Sequence, residues 1–500
     1  MAADLRALLD PPRRVGPAVC LAGIIAGLSA VAVVMAPDRY REIVAAAALA
    51  PWIVVLVGDL ERVLIAAVLT DNWFAIDTNL GYRPDFAARG GIGGVSVSVT
   101  TIAVLALLVA RILSRGSPAQ GTRSRLDAAV LVFTGLIVAS VFVAHDRSAS
   151  LALIVQTVQS ALVYLVLVRW ISSIERLLFL VKLLVVAIGA NAAVGGLWLL
   201  GVSIRVPGAD TGDALDGRFS GLLSSPNLLG TLLALALPLL FALLFVPTRP
   251  TFPVPDRHEA RSADREAERA ATVRFRRIMI CSVVVGVAML LATQSRGSWL
   301  SVAIAGGVIA CVALRRRWIS PTRATVAPLA AGLALIALPL VRDRLTGDDR
   351  GSAGSRVPLM RIAERMISDH PVFGVGANNY VTELPRYLTP DTAGQWIYTV
   401  HNQFLLTWAE SGLAALVALI WLLVEITRAG LILTRQPTRI FACIGVGVAA
   451  AACGLAAHMT IDLMNRRVPF AMLLVLAALV RTTGVLARID PAVERRGGSR

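Results

Sequence analysis

Three polar side chains of this 500-residue sequence are suited to chemistry on an anionic group, and each lies beside a long apolar run. Arg218 and Arg296 carry guanidinium groups, whose fork of N–H donors matches the oxygens of a phosphate. His401 begins an apolar run, where the positive end of a helix dipole favours a neutral imidazole that can accept a proton. Together these residues suggest removal of a proton beside a departing phosphate. Alternatively, the arginines are interfacial anchors and the histidine is an ordinary polar residue at the membrane surface.

The composition is that of a membrane protein. Hydrophobic residues make up 56% of the chain and charged residues 16%, with a mean hydropathy of +0.72, which leaves too little polar surface to cover several soluble cores. The formal charge of +16 comes from arginines in short turns between apolar runs, where they set the topology. The sequence therefore predicts an integral membrane protein whose partners include membrane lipids and exclude nucleic acid.

The apolar runs predict an all-α, polytopic fold of about 12–14 transmembrane helices. Positive flanks belong on the cytoplasmic side, so simple alternation places both termini in the cytoplasm and the protein in the plasma membrane. The weakest span is 63–74, which has to cross if the alternation is to hold. The predicted spans are 16–36, 43–58, 63–74, 95–112, 127–144, 149–170, 177–201, 227–246, 278–293, 298–314, 324–341, 405–427, 440–463 and 467–487.

Five regions follow from the order of apolar and polar segments. The second region carries motif-bearing outer loops and a basic cytoplasmic loop at 247–277, which suits a solvated helix or a disordered linker. The longest polar segment is usually functional or disordered in proteins, and its apolar residues indicate order here. The regions are N-terminal helices 1–201, central helices 202–341, a large extracytoplasmic loop 342–404, C-terminal helices 405–487 and a cytoplasmic tail 488–500.

A short amphipathic helix is predicted inside the long loop. Behind Pro358, apolar residues recur at three- and four-residue spacing, and charged residues occupy the other face. Pro371 disfavours helix in the residue before it, so the helix should end near His370, and the glycines that follow should turn the chain. The helix could lie on the outer membrane interface and cap what sits below. Its apolar positions are Leu359, Ile362, Ala363, Met366 and Ile367.

Two further groups of residues bear on the chemistry. His458 lies near the outer end of a span close to Asp462, and such a pair is either a functional group or a packing contact. The outer face offers no acidic cluster spaced for a metal, since Asp348 and Asp349 are adjacent, so arginine is expected to neutralise charge there instead of a metal. The five cysteines lie inside apolar runs and support neither a disulfide nor a zinc site.

Four segments together resemble the O-antigen ligase and polymerase superfamily of integral membrane glycosyltransferases. Each segment alone is weak evidence for this resemblance. Their order is more specific, because apolar spans separate them and one long outer loop precedes the last spans. The resemblance covers residues 210–465. The segments are Gly217-Arg218-Phe219-Ser220-Gly221 through Asn227-Leu228-Leu229-Gly230, Ser295-Arg296-Gly297, Asp369-His370-Pro371-Val372-Phe373-Gly374-Val375-Gly376 with Asn379-Tyr380, and His401-Asn402-Gln403 with Glu410-Ser411-Gly412.

The resemblance implies a GT-C-like helical fold that transfers glycan from a polyprenyl diphosphate carrier, such as undecaprenyl diphosphate, on the extracytoplasmic face. Such proteins act in cell-envelope or exopolysaccharide biosynthesis. It also implies that His401 is catalytic, that Arg218 and Arg296 bind the diphosphate, and that the enzyme needs neither metal nor cofactor. Further candidates for the substrate groove are Arg356, Arg361, His370, Asn402 and Glu410.

Several functions remain open within and beyond this resemblance. The shared segments do not separate ligases, polymerases and protein O-glycosylating enzymes, so the acceptor is a glycan, a lipid or a protein. The alternative from another class is a secondary transporter of an inorganic anion or another small anionic solute. A transporter would be expected to carry repeat symmetry and ionisable groups near the bilayer midplane, whereas the candidates here cluster at the outer face. A scaffold for envelope assembly would tolerate replacement of His401.

Overall fold

The computed structural model describes residues 60–74, 77–113, 124–199, 218–247, 260–320, 322, 356–389, 397–464 and 467–489. This part of the chain contains nine helices that are long and apolar enough to cross a membrane. The predicted all-α, polytopic membrane fold is confirmed. The nine segments are Arg125–Val143, Arg147–Trp170, Ile174–Leu197, Pro226–Leu243, Ala270–Ala292, Arg296–Arg315, Gln403–Leu433, Arg439–His458 and Arg467–Arg488.

The described elements are mostly helices, with one small antiparallel sheet and two 3₁₀ turns. The helices are α1 (Leu60–Phe74), α2 (Pro84–Ala88), α3 (Val99–Leu113), α4 (Arg125–Ala139), α5 (Arg147–Trp170), α6 (Ile174–Leu199), α7 (Pro226–Leu243), α8 (Ala260–Ala292), α9 (Arg296–Arg315), α10 (Arg356–Asp369), α11 (Tyr380–Glu383), α12 (Gln403–Leu433), α13 (Arg439–His458) and α14 (Arg467–Ile489). The 3₁₀ turns are Ser140–Val143 and Leu384–Tyr387. The strands are β1 (Asp77–Leu80) and β2 (Val95–Ser98), with Asp77 opposite Ser98 and Leu80 opposite Val95.

The region before α4 differs from the prediction. The span predicted at 95–112 is wrong at its start, because β2 pairs with β1 and only α3 is helical. Valine and serine alternate in β2 and its burial alternates with them, which is the two-residue period of a strand. Helices α1 and α3 have 15 residues each, about 22 Å, which is shorter than a hydrocarbon core of about 30 Å. Three predicted spans lie outside the described residues: 16–36, 43–58 and 324–341.

Helices α7, α13 and α14 form the interior of the helical body, since 89%, 83% and 72% of their most apolar stretches are buried. Small residues in α13 allow its neighbours to approach closely. A Cβ on Gly445 would lie 2.5 Å from the carbonyl oxygen of Gly430 in α12, and a Cβ on Gly447 would lie 2.7 Å from the Cα of Leu239 in α7. Close contact between small residues stabilises helix pairs in lipid, where the hydrophobic effect between helices is absent. Helix α13 therefore packs closely against both α7 and α12.

Helix α12 bends at Gly412, whose φ of 81° and ψ of 175° are not helical. Backbone from the long loop takes over the hydrogen bonds that the bend breaks. The Val375 N–H donates to the Ala409 carbonyl (2.9 Å), and the Leu413 N–H donates to the Pro371 carbonyl (3.3 Å). Irregular backbone is not tolerated against lipid, and here the bend is buried and covered by the loop. Residues 413–433 then extend about 32 Å, which matches a core of about 30 Å.

Glycines permit this contact between the loop and α12. Gly374, Gly376 and Gly412 have φ values of 69°, 100° and 81°, a region that other residues adopt only at a cost in free energy. A Cβ on Gly412 would also collide with the backbone of Val372. Two of the segments that carry the resemblance, the loop glycines and the Glu-Ser-Gly of α12, therefore meet in the fold.

The predicted amphipathic helix in the long loop is confirmed as α10. It ends at Asp369, one residue before the predicted end, and its five predicted apolar positions are all buried. They form a small hydrophobic core with residues that include Leu406 and Ala409 of α12. This core joins α10 to the part of α12 that precedes the bend.

Candidate active site

Arg218 is held between the ends of two helices. Its Nε donates to the carbonyl oxygen of Thr293 (3.0 Å), and its Nη2 donates to Asn227 Oδ1 (2.6 Å) in the first turn of α7. The Phe219 N–H donates to the carbonyl oxygen of Ala292 at the end of α8 (3.0 Å). The two side-chain hydrogen bonds fix the plane of the guanidinium at the N-terminus of α7.

The N-termini of α7 and α9 lie side by side near Arg218. A Cβ on Gly230 in α7 would lie 2.6 Å from Ser298 Oγ in α9, so the first turns of the two helices are in contact. The serine N-cap of each helix makes no side-chain capping hydrogen bond. Arg296 is the first residue of α9. Two positive helix ends and two arginines thus lie at one place, and helix N-termini attract anions.

His458 and Asp462 adjoin this arginine end of the site. The imidazole of His458 is 1% exposed and packs on Gly297, where a Cβ would lie 2.6 Å from its Nε2. The same Nε2 is 3.4 Å from Asp462 Oδ2. Gly297 directly follows Arg296, so the His458–Asp462 pair is both a packing contact and a polar pair beside the predicted anion site.

The start of α12, two residues after His401, contacts the turn that contains Asp462. The Gln403 N–H donates to the carbonyl oxygen of Met459 (2.8 Å), and Gln403 Oε1 accepts a hydrogen bond from the Met464 N–H (2.7 Å). These two bonds join the start of α12 to the turn at 459–464 that contains Asp462. The Asp462 carboxylate interacts electrostatically with His401 as well as with the neighbouring histidine.

The protonation of His401 is controlled by burial and by two neighbouring charges. Burial lowers the pKa of His401 below its usual 6.5, the negative charge of Asp462 opposes this shift, and the positive charge of Arg356 adds to it. The imidazole also lies on the ring of Tyr398, with 5.2 Å between centroids. The neutral imidazole expected from the sequence is thus favoured, and the main cause is burial instead of the predicted helix dipole.

The carboxyl group of Asp462 is ionised near neutral pH. Burial alone would raise its pKa, but the nearby His458 imidazole and the Leu463 N–H, which donates to Asp462 Oδ1 (2.8 Å), outweigh burial and hold the pKa below the usual 3.8. A carboxylate whose charge acts on His401 can stabilise a proton that arrives there, because an opposite charge nearby favours the charged form of an imidazole.

The structure places the other predicted groove residues in different environments. Arg356, the first residue of α10, is close enough for its charge to act on His401. Arg361 is exposed on the outer face of the same helix. Asn402 is the N-cap of α12, and its Oδ1 accepts from the N–H groups of Phe404 and Leu405 (3.0 and 3.1 Å). Only Arg356 of these three therefore acts on the predicted base.

His370 and Glu410 have different surroundings, one exposed in a separate groove and the other buried beside Gln403 and the turn at 459–464. His370 is exposed and lines a separate open groove of about 620 Å³ together with Asp369, Glu383 and Arg386. Glu410 is buried in α12, and its Oε1 accepts from the N–H of Tyr380 (3.2 Å). Glu410 therefore fixes the loop that supports the bend of α12.

Asn378 was not among the predicted site residues, yet it and Asn379 hold the same loop. The Asn378 Nδ2 donates to the carbonyl oxygens of Ile92 (3.0 Å) and Ala149 (2.8 Å), and Asn379 Oδ1 accepts from the Asp146 N–H (2.7 Å). The only signal in the sequence is two consecutive amides directly after a glycine turn, where Asn378 has a φ of 58°. Asparagine tolerates this left-handed conformation better than most residues.

Metal ligands are not clustered in the part of the chain that the structure describes. Across those residues, no group of three or more His, Cys, Asp or Glu side chains is placed to hold a metal ion. The requirement for a metal or a cofactor therefore has to be tested in solution, and metal independence stays a prediction.

The described part of the chain is a polytopic helical membrane protein in which Arg218, Arg296 and His401 lie near helix ends. A family model described as O-antigen ligase matches residues 281–420, which confirms the predicted resemblance. This match supports a membrane glycan ligase or polymerase as the general function. No curated protein matches the sequence.

The matched segment contains only part of the candidate site. Arg296, Arg356 and His401 lie within residues 281–420. Arg218 and Asp462 lie outside the match, so their place in the site depends on the geometry described above.

Proposed function

We propose that the protein transfers a glycan from a polyprenyl-diphosphate-linked oligosaccharide to an acceptor hydroxyl on the extracytoplasmic face of the plasma membrane. The observation that supports this proposal is one arrangement of helix ends. Arg218 and Arg296 lie at the adjoining ends of α7, α8 and α9, and the turn at 459–464 lies beside Gly297 and also contacts the start of α12, directly after His401. A family model described as O-antigen ligase matches part of this chain. The three residues come from widely separated parts of the sequence, Arg218, Arg296 and His401.

In the proposed reaction, the acceptor oxygen forms a bond to the anomeric carbon of the donor sugar as the bond from that carbon to the diphosphate oxygen breaks. His401 accepts the proton of the acceptor hydroxyl. Its lowered pKa keeps it neutral and ready to do so near pH 7, and a well-placed general base contributes about 10²–10⁴-fold to a rate. The ionised Asp462 stabilises the imidazolium that forms.

Arg218 and Arg296 are proposed to bind the leaving diphosphate. Hydrogen bonds to Asn227 and Thr293 hold Arg218 in one orientation before the substrate arrives, so little reorganisation is needed as negative charge develops. The N-termini of α7 and α9 add donors and positive potential at the same place. This arrangement supplies charge stabilisation from the protein itself.

The experiment that tests this function measures glycan transfer by the purified protein in nanodiscs, with a polyprenyl-diphosphate oligosaccharide and candidate glycan, lipid and protein acceptors. His401→Ala is expected to lower the rate about 10²–10⁴-fold. EDTA throughout the assay should leave the wild-type rate unchanged.

His370→Ala is the matched control, because this histidine is exposed and lines a different groove. It should retain the wild-type rate. If the wild-type protein consumes no donor, or if both histidine variants behave alike, the proposed function is wrong, and uptake of small anions becomes the function to measure.

A further inference from the structure

An apolar groove of about 820 Å³ opens between α12 and α13 and extends from Phe404 to Arg435. Exposed aliphatic residues of α12 form one wall, including Ile420, Val424 and Leu431. The other wall is formed by Ala452, Cys453 and Ala456 of α13, whose small side chains leave the groove open.

Two arginines stand at one end of this groove. Arg428 and Arg435 both line it and both are exposed. They are seven residues apart, Arg428 in α12 and Arg435 in the turn two residues past its end, which corresponds to about 10 Å along the axis. Long arginine side chains can converge on one anion from this spacing.

The depth of the arginines matches the headgroup region of one leaflet. If the hydrocarbon core begins near Gly412, Arg428 lies about 22 Å beyond Leu413, and Arg435 lies about 33 Å beyond it. A core of about 30 Å therefore ends between the two arginines. That boundary belongs to the leaflet opposite the one that borders His401.

Arg428 is paired with a carboxylate of its own helix but remains partly exposed. Glu425 Oε2 accepts from its Nε (2.8 Å) and Nη2 (2.6 Å), which fixes the side chain, and 45% of that side chain remains exposed. The ion pair offsets the cost of a charge near the edge of the hydrocarbon core. A guanidinium carries five N–H donors, so two hydrogen bonds to one carboxylate do not exhaust it.

We infer that this groove binds an anionic glycerophospholipid from the leaflet opposite the candidate active site. The acyl chains lie along the aliphatic wall of α12 and over the small residues of α13. The phosphate lies between Arg428 and Arg435, since an arginine fork matches phosphate oxygens. The groove is a site for a membrane lipid and is separate from the site proposed for the glycan donor.

The test uses the full-length protein in mild detergent and native mass spectrometry, with added phosphatidylglycerol or phosphatidylcholine. Wild type should retain phosphatidylglycerol in preference to phosphatidylcholine. Each of Arg428→Gln and Arg435→Gln should weaken retention of phosphatidylglycerol about fivefold, because one arginine near an anionic lipid contributes roughly that factor. No glycan transfer is needed, so failure here and failure of the proposed function are distinguishable.

Arg316→Gln is the matched control, since Arg316 is exposed at the end of α9 and does not line the groove. It should retain phosphatidylglycerol as wild type does. A photoreactive residue at position 424 should give adducts with the mass of a phospholipid. Equal loss of lipid in all three variants, no preference between the two lipids, or adducts with a segment of this same chain would each overturn the inference.

Discussion

At the arginine end of the candidate site, the Arg218 guanidinium is fixed by hydrogen bonds to Asn227 and Thr293. At the histidine end, burial and the opposing charges of Asp462 and Arg356 control the protonation of His401. The first end holds a permanent charge in place, and the second end adjusts whether a charge forms. We therefore expect variants of the arginine end to change donor binding, and variants of the histidine end to change the rate and its pH dependence.

The largest effect on the structure is expected at Gly412, because the bend of α12 supports the histidine end. Gly412→Ala forces a residue with a Cβ into a φ of 81° and against the Val372 backbone, and strain of this kind costs about 1–3 kcal/mol. The thermal midpoint of the purified protein should fall by on the order of 5 °C, and the transfer rate should fall with it.

Gly189→Ala is the control for this substitution. Gly189 lies in α6, and a Cβ there would meet nothing within 4 Å, so the exchange should leave the midpoint unchanged or raise it, since alanine favours helix. Equal midpoints for the two variants would show that the bend does not depend on glycine.

A smaller effect is expected from Arg218→Lys. A lysine offers a point charge in place of a planar fork, so affinity for polyprenyl diphosphate should fall about tenfold while some binding remains. Asn227→Ala should weaken binding less, about threefold, because it removes one hydrogen bond that orients the guanidinium. Isothermal titration or fluorescence with the carrier lipid measures both. A fall in kcat with unchanged donor affinity would contradict a role of Arg218 in donor binding.

The smallest effect concerns pH. A neutral His401 accepts the proton, so activity should fall as pH drops through the pKa of this residue, which lies below its usual 6.5. The positive charge of Arg356 contributes to that lowering. Arg356→Gln should therefore raise the pKa and move the acid limb of the pH–rate profile to higher pH.

Arg361→Gln is the control for the pH measurement, because Arg361 lies on the exposed face of the same helix, α10. Its acid limb should coincide with that of wild type. An acid limb that moves equally in both variants would indicate a general effect of surface charge on the protein.

Local patterns made one part of this architecture predictable. The apolar spacing behind Pro358 and the proline at position 371 sufficed for α10, because helix faces and helix ends depend on nearby residues. The same holds for the starts of α7 and α9, where arginines accompany the first turns. The residues Arg218, Arg296 and His401 could be proposed for this reason, supported by a resemblance to known proteins.

Contacts between distant residues were not predictable. The bend at Gly412 depends on backbone from the loop near Pro371, and a sequence pattern contains no information on which loop will supply those hydrogen bonds. The buried ion pair between Asp71 and Arg467 (2.7 Å) joins α1 to α14 across 396 residues. Each of these residues in isolation resembles an ordinary charge at the end of an apolar run.

We assign donor binding to the two arginines and proton transfer to His401. The most direct test measures donor binding and single-turnover transfer on the same preparations of two variants. The double variant Arg218→Ala/Arg296→Ala should lose donor binding by about 100-fold, since each arginine contributes a charge-assisted interaction of about tenfold. His401→Ala should bind the donor within about twofold of wild type and transfer glycan about 10²–10⁴-fold more slowly. Normal donor binding by the double variant, or loss of donor binding in His401→Ala, would contradict this account.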